Sequence, residues 1–166
     1  YCAANGLTVN TVKTKVVCFA ARAPREVADI EYEGAVVERT PDFRYLGVTL
    51  HQSHAFCAAA TARGKVGDQA AHLLRRRMAQ NGLHAHPLEA MHLFDVFVRP
   101  VMSYGVEVWG PGRAVASLSG KAADACERVH LSLLRRLLGV PDSCSALTVL
   151  AETGRLPLSV AWAKQT

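Results

Sequence analysis

The pattern of hydrophobic and polar positions differs between the first part of the chain and the rest. Residues 1–50 carry short apolar runs separated by turn residues, whereas the residues that follow place apolar side chains at helical spacing. The sequence therefore predicts an α+β fold in two parts. We expect short strands over residues 1–50 and a mostly α-helical region over residues 51–166.

Three apolar runs predict the strands of the first part, at residues 15–20, 29–39 and 43–50. The first run, "KVVCFA", predicts a buried strand. The second alternates around Gly34 and predicts a hairpin or a bent strand. The third is rich in aromatic and β-branched residues and predicts a single strand.

Helical spacing begins at residue 54 and predicts a first helix over residues 54–80, which ends at Asn81-Gly82. Its expected apolar arc contains Phe56, Ala60, Val66, Ala70, Leu73, Leu74 and Met78. Residues 87–109 are apolar nearly all round, so we expect them at the centre of the helical region. Pro100 should kink or end their helix.

Two further helices are predicted toward the C-terminus. Ser119 can cap a helix over about residues 120–138, which Gly139 closes. A shorter helix is expected near residues 145–153, followed by Gly154.

Composition limits the class of protein. Half of the 166 residues are hydrophobic and 20% are charged, enough for one domain with a core or for parts of two. No run is long enough to span a membrane, and the start lacks a signal-peptide pattern. The five cysteines are odd in number and scattered, which indicates reduced thiols in an intracellular protein, nuclear or cytoplasmic and not secreted. The net charge of +5 is compatible with a polyanionic partner and does not require one.

Four collinear stretches carry a resemblance to a known family. In chain order they are "GLTVNTVKT", "FRYLG", "FVRPVMSYGVEVW", and "LLRRLLGVP" with "ETGRLPL" after it. The first two resemble motif D and motif E, the primer grip, of reverse transcriptases from non-LTR (LINE-type) retrotransposons. The others resemble the thumb region of the same proteins.

The resemblance implies that residues 1–50 are the C-terminal remainder of a reverse transcriptase palm with its primer grip, and that residues 51–166 are a helical thumb and connector. The implied function is that of a fragment of an RNA-directed DNA polymerase, a nucleotidyltransferase encoded by a transposable element. The implied partners are an RNA template and a DNA primer, or an RNA–DNA hybrid, together with the remaining reverse transcriptase palm and fingers. No membrane is implied.

This sequence departs from the family at the metal-binding carboxylates. Reverse transcriptases of this group hold Mg²⁺ with a carboxylate from an early palm strand and with the paired aspartates of a tight turn, and no two aspartates are adjacent here. Two-metal phosphoryl transfer needs such carboxylates. We therefore expect no polymerase activity from this chain alone and no cofactor bound in it, because Mg²⁺ belongs to the intact parent enzyme.

By the resemblance, Lys13 is the catalytic lysine of motif D. A lysine beside the nucleotide pocket can stabilise the negative charge that develops on the pyrophosphate leaving group and can supply a proton. Lys15 lies two residues further on the same face of an extended backbone and is the competing candidate. The alternative for both lysines is a solvated position at the entrance of a strand.

The primer-grip stretch supplies four nucleic-acid-binding candidates, Phe43, Tyr45, Leu46 and Gly47. Phe43 and Leu46 are also candidates for the core. Tyr45 and the Leu46-Gly47 backbone are the preferred contacts with nucleic acid, because a glycine lets another backbone approach closely.

Basic residues on two predicted helices complete the nucleic-acid-binding candidates. They are Lys65, Arg75 and Arg76 on the first helix, with His72 beside them, and Lys121, Arg128 and Arg135 at seven-residue spacing on the later one. Such stripes can track the phosphates of a duplex independently of its sequence. The alternative for each stripe is an ordinary solvated helix face.

Other interpretations stay open. The chain could be a non-enzymatic helical module from a decayed retroelement, which binds nucleic acid or another protein. His51, His54 and Cys57 have a spacing that suits zinc, but no fourth ligand stands nearby, and we predict no metal site there.

Overall fold

The computed structural model describes residues 1–19, 28–53, 56–83, 86–110 and 124–164. The chain divides into two compact units, Tyr1–Ala58 and Ala59–Thr166. The first contains two small antiparallel hairpins, and the second consists of helices packed on one another. The predicted α+β class is confirmed.

The elements follow one another in the order expected from the hydrophobic pattern. After a 3₁₀ turn at Ala3–Asn5 come the strands β1 (Glu31–Tyr32), β2 (Ala35–Val36), β3 (Asp42–Tyr45) and β4 (Val48–His51). The helices are α1 (Cys57–Gln80), α2 (Pro87–Phe97), α3 (Arg99–Ser103), α4 (Val106–Trp109), α5 (Ala125–Leu138), α6 (Ala146–Thr153) and α7 (Leu158–Ala163). No helix within the described segments is long and apolar enough to cross a membrane.

The two hairpins bear out one strand prediction and correct another. Strands β1 and β2 pair across Glu33-Gly34, so the predicted hairpin at residues 29–39 is confirmed. The single strand predicted at residues 43–50 is wrong, because β3 and β4 pair with each other across Leu46-Gly47. Both turn residues have positive φ, 45° at Leu46 and 82° at Gly47, and two such residues in succession reverse the chain.

The buried strand predicted at residues 15–20 is also wrong within the residues described. Val16 makes one parallel bridge with Arg39, in which the Val16 N–H donates to the Glu38 carbonyl at 3.0 Å. The Thr40 N–H in turn donates to the Val16 carbonyl at 3.0 Å. A parallel ladder would next use the Asp42 N–H, which instead donates to the Thr40 hydroxyl at 3.5 Å, and the pairing ends after one bridge.

Residues 87–109 form the centre of the helical unit, as predicted. Six of their side chains are at most 2% exposed: Ala90, Phe94, Val98, Met102, Val106 and Trp109. The helix is interrupted at Val98, two residues before Pro100, whose ring clashes with the carbonyl four residues earlier. The buried Trp109 indole N–H donates to the Tyr104 carbonyl at 2.9 Å, and the Trp109 ring meets the edge of Trp162 at 5.2 Å. The Trp109–Trp162 pair therefore lies in the core of the unit, and the indole N–H of Trp109 has a hydrogen-bond acceptor there.

The buried face of α1 differs from the predicted apolar arc. Val66 and Leu73 are 43% and 56% exposed. The face that packs inward instead contains Ala59, Ala60, Gly64, Gly67, Ala71, Leu74 and Met78. Small residues at helical spacing let a neighbouring helix approach closely, and this close packing takes precedence over burial of the larger side chains.

Gly64 is the residue at which α1 lies against the start of α5. A Cβ at Gly64 would lie 2.4 Å from the Cβ of Ala125 and 2.9 Å from its carbonyl carbon. Both distances are shorter than any van der Waals contact between carbons. A side chain at this position would therefore push α5 away from α1.

The ends of the later helices follow local signals. Asp124 caps α5, where its Oδ1 accepts a hydrogen bond from the Cys126 N–H at 3.3 Å, and the cap predicted at Ser119 lies outside the described residues. Gly139 ends α5 and Gly154 ends α6, as predicted. Helices α5 and α6 then bury a second cluster, which contains Leu131, Leu134, Val149 and Leu150.

Gly64→Ala should lower the free energy of unfolding by about 1–2 kcal/mol, measured by chemical denaturation of the whole chain. Replacing glycine by alanine in a helix gains about 1 kcal/mol of propensity, but a contact of 2.9 Å with a backbone carbon places the overpacking cost in the upper part of its range, about 2–3 kcal/mol. Gln69→Ala on the exposed side of α1 is the control and should change stability by less than about 0.5 kcal/mol. Ala125→Gly should recover part of the loss, and an unchanged stability of Gly64→Ala would contradict the close packing.

Candidate nucleic-acid interface

A groove between α1 and α5 brings together basic residues that were predicted on separate helices. It has a volume of about 390 Å³, and Thr61, Lys65 and Asp68 line its α1 side. Arg128 and Ser132 line the α5 side. Lys65 and Arg128 are exposed, so their charges reach solvent on opposite sides of the groove.

Arg75 and Arg136 extend this positive surface along the same two helices. Burial lowers the pKa of Arg75, and the positive charge of Arg136 lowers it further, whereas Asp68 acts in the opposite direction. The three side chains are therefore near enough to interact. A surface on which two guanidinium groups repel each other is favourable for an anion, which relieves that repulsion. We use the name basic groove for this groove with its lining cations Lys65 and Arg128, together with Arg75 and Arg136, which lie beyond the lining.

Arg136 was not among the predicted site residues, and helical geometry explains the error. At 100° per residue, Arg135 lies about 20° behind Arg128 and Arg136 about 80° ahead of it. Ser132 lies about 40° ahead of Arg128, so the groove is on the Arg136 side. The position of α1 was needed to choose between the two neighbouring arginines.

Arg135 has a structural role, because its guanidinium is hydrogen-bonded to the backbone. Its Nη2 donates to the Cys144 carbonyl at 2.8 Å, and its Nε donates to the same oxygen at 3.3 Å. The guanidinium thereby fastens the loop between α5 and α6. Lys121 of the predicted stripe lies outside the described residues. The structure therefore does not show Lys121, Arg128 and Arg135 as one surface.

The remaining basic candidates lie beside the groove. Arg76 and His72 are exposed on α1. Arg76 follows Arg75 and points about 100° further round the helix, so it extends the same basic surface away from α5.

Lys13 lies in a turn that Asn10 holds together. The Lys13 N–H donates to the Asn10 side-chain oxygen at 3.0 Å and to the Asn10 carbonyl at 3.1 Å, and the Thr14 hydroxyl donates to the same carbonyl at 2.8 Å. Asn10 therefore shapes the turn, as predicted. The Lys13 side chain is exposed, whereas the ammonium of Lys15 is paired with the Glu38 carboxylate.

The primer-grip candidates surround the tip of the β3–β4 hairpin. Phe43 is half-buried and stands opposite Leu50 in the register. Tyr45 is 58% exposed, and Leu46 is 73% exposed. Of the two residues predicted as core candidates, Phe43 and Leu46, the exposure of Leu46 leaves only Phe43. Gly47 forms the turn beside Leu46. Lys13 and this hairpin belong to the first unit, and the basic groove belongs to the second.

The residues in the described segments do not fit a metal centre. No group of three or more histidine, cysteine, aspartate or glutamate side chains within those segments could hold a metal ion. His51 Nδ1 is hydrogen-bonded to the Ser53 hydroxyl at 2.7 Å, and His54 of the weighed zinc pattern lies outside the described residues.

Part of the chain is similar in sequence to a transposon polymerase. The chain is 32% identical over 108 residues to a probable RNA-directed DNA polymerase from transposon BS of Drosophila melanogaster. This similarity covers 63% of the chain and 12% of that relative, so the chain spans a small part of the longer protein. No protein-family model and no solved structure matches the chain. The similarity supports a relationship with transposon RNA-directed DNA polymerases.

Arg135→Ala and Arg128→Ala should separate the structural arginine from the groove arginine. Removal of Arg135 should lower the free energy of unfolding by about 1–3 kcal/mol, because the Cys144 carbonyl loses a charged donor. Removal of the exposed Arg128 should change it by less than about 0.5 kcal/mol. Denaturation of both variants checks this, and equal losses of stability would show that Arg135 does not anchor the loop.

Proposed function

We propose that this chain is part of an RNA-directed DNA polymerase of a non-LTR retrotransposon, in which it holds the RNA–DNA duplex and assists the departure of pyrophosphate. The basic groove is the observation that carries the proposal, because it aligns cations from two helices along one surface. The similarity to a transposon polymerase supports the same conclusion. In this proposal the helical unit is the thumb, and the first unit contributes the end of the palm.

The groove can bind a duplex through its phosphates. Lys65 and Arg128 lie on facing banks, so one backbone strand that follows the groove can meet cations on both sides. Contacts of this kind release condensed counterions and carry no sequence information. Asp68 on the α1 bank limits the net charge and favours transient contact, which suits a polymerase that must move along its product.

A hybrid duplex should bind this chain with an affinity that falls steeply as salt is added. The triple variant Lys65→Ala/Arg128→Ala/Arg136→Ala should reduce the slope of log affinity against log salt by about 2–3, since each phosphate contact contributes about 0.9. Fluorescence anisotropy with a labelled RNA–DNA hybrid measures both quantities.

Arg77→Ala is the matched control for that experiment. Arg77 is an exposed arginine of the same helix that lines a different, apolar groove, so its removal should leave the slope unchanged. Absence of binding at low salt would overturn the proposal of a nucleic-acid-binding thumb. Binding with an unchanged slope in the triple variant would assign the contact to another surface.

Lys13 is the residue proposed to assist the leaving group. Its exposed ammonium can approach a phosphate, whereas the ammonium of Lys15 is engaged by Glu38. A cation beside the departing pyrophosphate stabilises the charge that develops on its oxygens, and an ammonium also has a proton to donate. Tyr45 and the exposed tip at Leu46-Gly47 are proposed to contact the primer end.

In an intact polymerase that contains this chain, Lys13→Ala should lower the rate of nucleotide addition by roughly 10²-fold or more, the range of general acid catalysis. Lys15→Ala should have a much smaller effect, because that lysine pairs with Glu38. Single-turnover incorporation measures the rate, and primer affinity should change little in both variants. Equal effects of the two substitutions would remove the catalytic assignment of Lys13.

A further inference from the structure

A second cleft lies on the other side of α5 from the basic groove. It has a volume of about 400 Å³, and the residues used below, Asp95, Arg99, His130, Arg155 and Lys164, are among those that line it. His130 is two residues after Arg128 and therefore points about 200° away from it around the helix. The cleft shares no lining residue with the basic groove.

His130, one member of a buried acid–imidazole pair, lines the inner part of this cleft. Glu127 and His130 are 6% and 3% exposed, and His130 Nδ1–H donates to Glu127 Oε1 at 3.1 Å. The other carboxylate oxygen of Glu127 accepts the Leu158 N–H at 2.6 Å. The imidazole also stacks on the ring of Phe94, with the ring centroids 5.4 Å apart. The ring is thus held in place from two directions, and Nε2 is the nitrogen that remains for the cleft.

Two arginines and a lysine form the rest of the wall. Arg155 Nη1 donates to Asp95 Oδ2 at 2.6 Å, and Arg99 Nη1 lies 3.7 Å from the other oxygen of the same carboxylate. A guanidinium has five N–H donors, so each arginine retains donors beyond those that reach Asp95. Lys164 is exposed and lines the same cleft. Among the residues that line the cleft, three cations stand against one carboxylate, and the buried Glu127 carboxylate lies behind His130, so the net charge of the site stays positive.

We propose that this cleft binds a phosphate group, either inorganic phosphate or a phosphate monoester. At neutral pH such a group carries a charge of about −1.5 to −2, so the net positive charge of the cleft attracts it. Arg99 and Arg155 can donate to its oxygens, and Lys164 adds a mobile cation. Nε2 of His130 completes the set, since an imidazole whose Nδ1–H is held by a carboxylate presents Nε2 as an acceptor for the hydroxyl of a monoprotonated phosphate.

The site does not depend on the proposed polymerase function, because none of its residues belongs to the basic groove or to the first unit. Its ligand can come from two sources with the same chemistry. One is a free phosphate or a nucleotide, and the other is the terminal phosphate of a nucleic-acid strand.

Titration with inorganic phosphate, at constant ionic strength maintained with chloride, tests the proposal on the whole chain. Histidine-ring ¹H–¹⁵N spectra should show a saturable shift of the His130 nitrogens. Arg99→Gln and Lys164→Ala should each raise the Kd for phosphate roughly tenfold, the effect of losing one charge-assisted hydrogen bond. Arg77→Ala, which lies outside the cleft, should leave the Kd unchanged. A His130 signal that does not shift, or a Kd that changes equally in Arg77→Ala, would overturn the proposal.

Competition identifies the source of the phosphate. A 5′-phosphorylated oligonucleotide that displaces inorganic phosphate better than the same strand with a 5′-hydroxyl supports a strand terminus as the ligand. Equal competition by the two strands supports a free phosphate or nucleotide. The triple groove variant should retain phosphate binding, so a failure of duplex binding and a failure of the cleft are observed separately.

Discussion

The close approach of α1 and α5 is the constraint on which the helical unit depends. Because position 64 has no side chain, Ala125 can lie against the α1 backbone, and the Cys126 thiol reaches the Ala60 carbonyl at 3.8 Å. The same approach turns the small-residue face of α1 inward and leaves Val66 and Leu73 exposed. The same approach determines the distance between the α1 and α5 sides of the basic groove. The packing of the two helices therefore also determines how far apart their cations lie.

Helix α5 carries three kinds of polar side chain, and its neighbours assign the role of each. Arg128 and Arg136 belong to the basic groove, whereas Arg135 donates hydrogen bonds to the Cys144 carbonyl. Glu127 is buried, yet both of its oxygens are satisfied, one by an imidazole and one by the first backbone N–H of α7. A buried carboxylate without such donors would be strongly destabilising. The start of α7 is therefore fixed by a side chain 31 residues earlier in the chain.

The features that could be predicted from the sequence depend on neighbouring residues alone. A glycine after a helix or a proline within one acts within a turn or so, which is why the end at Gly139 and the break before Pro100 were predicted correctly. The buried face of α1, the hairpin that stands in place of the single strand at residues 43–50, and the role of Arg135 were not predicted. Each depends on a partner distant in sequence, or on backbone angles at Leu46 that residue type does not reveal. The pairing of Glu127 with His130 has helical spacing, but only the packing of α7 shows that the pair is buried.

The conformation of the β3–β4 hairpin tip indicates which residues position 46 should accept during evolution. Leu46 holds a left-handed backbone conformation, φ 45°, that costs a residue with a Cβ about 1 kcal/mol, and its apolar side chain is 73% exposed. Asparagine or glycine would relieve both costs without touching the core. Selection for folding alone would therefore replace this leucine readily. Its retention in related chains would mean that the tip is selected for what it touches.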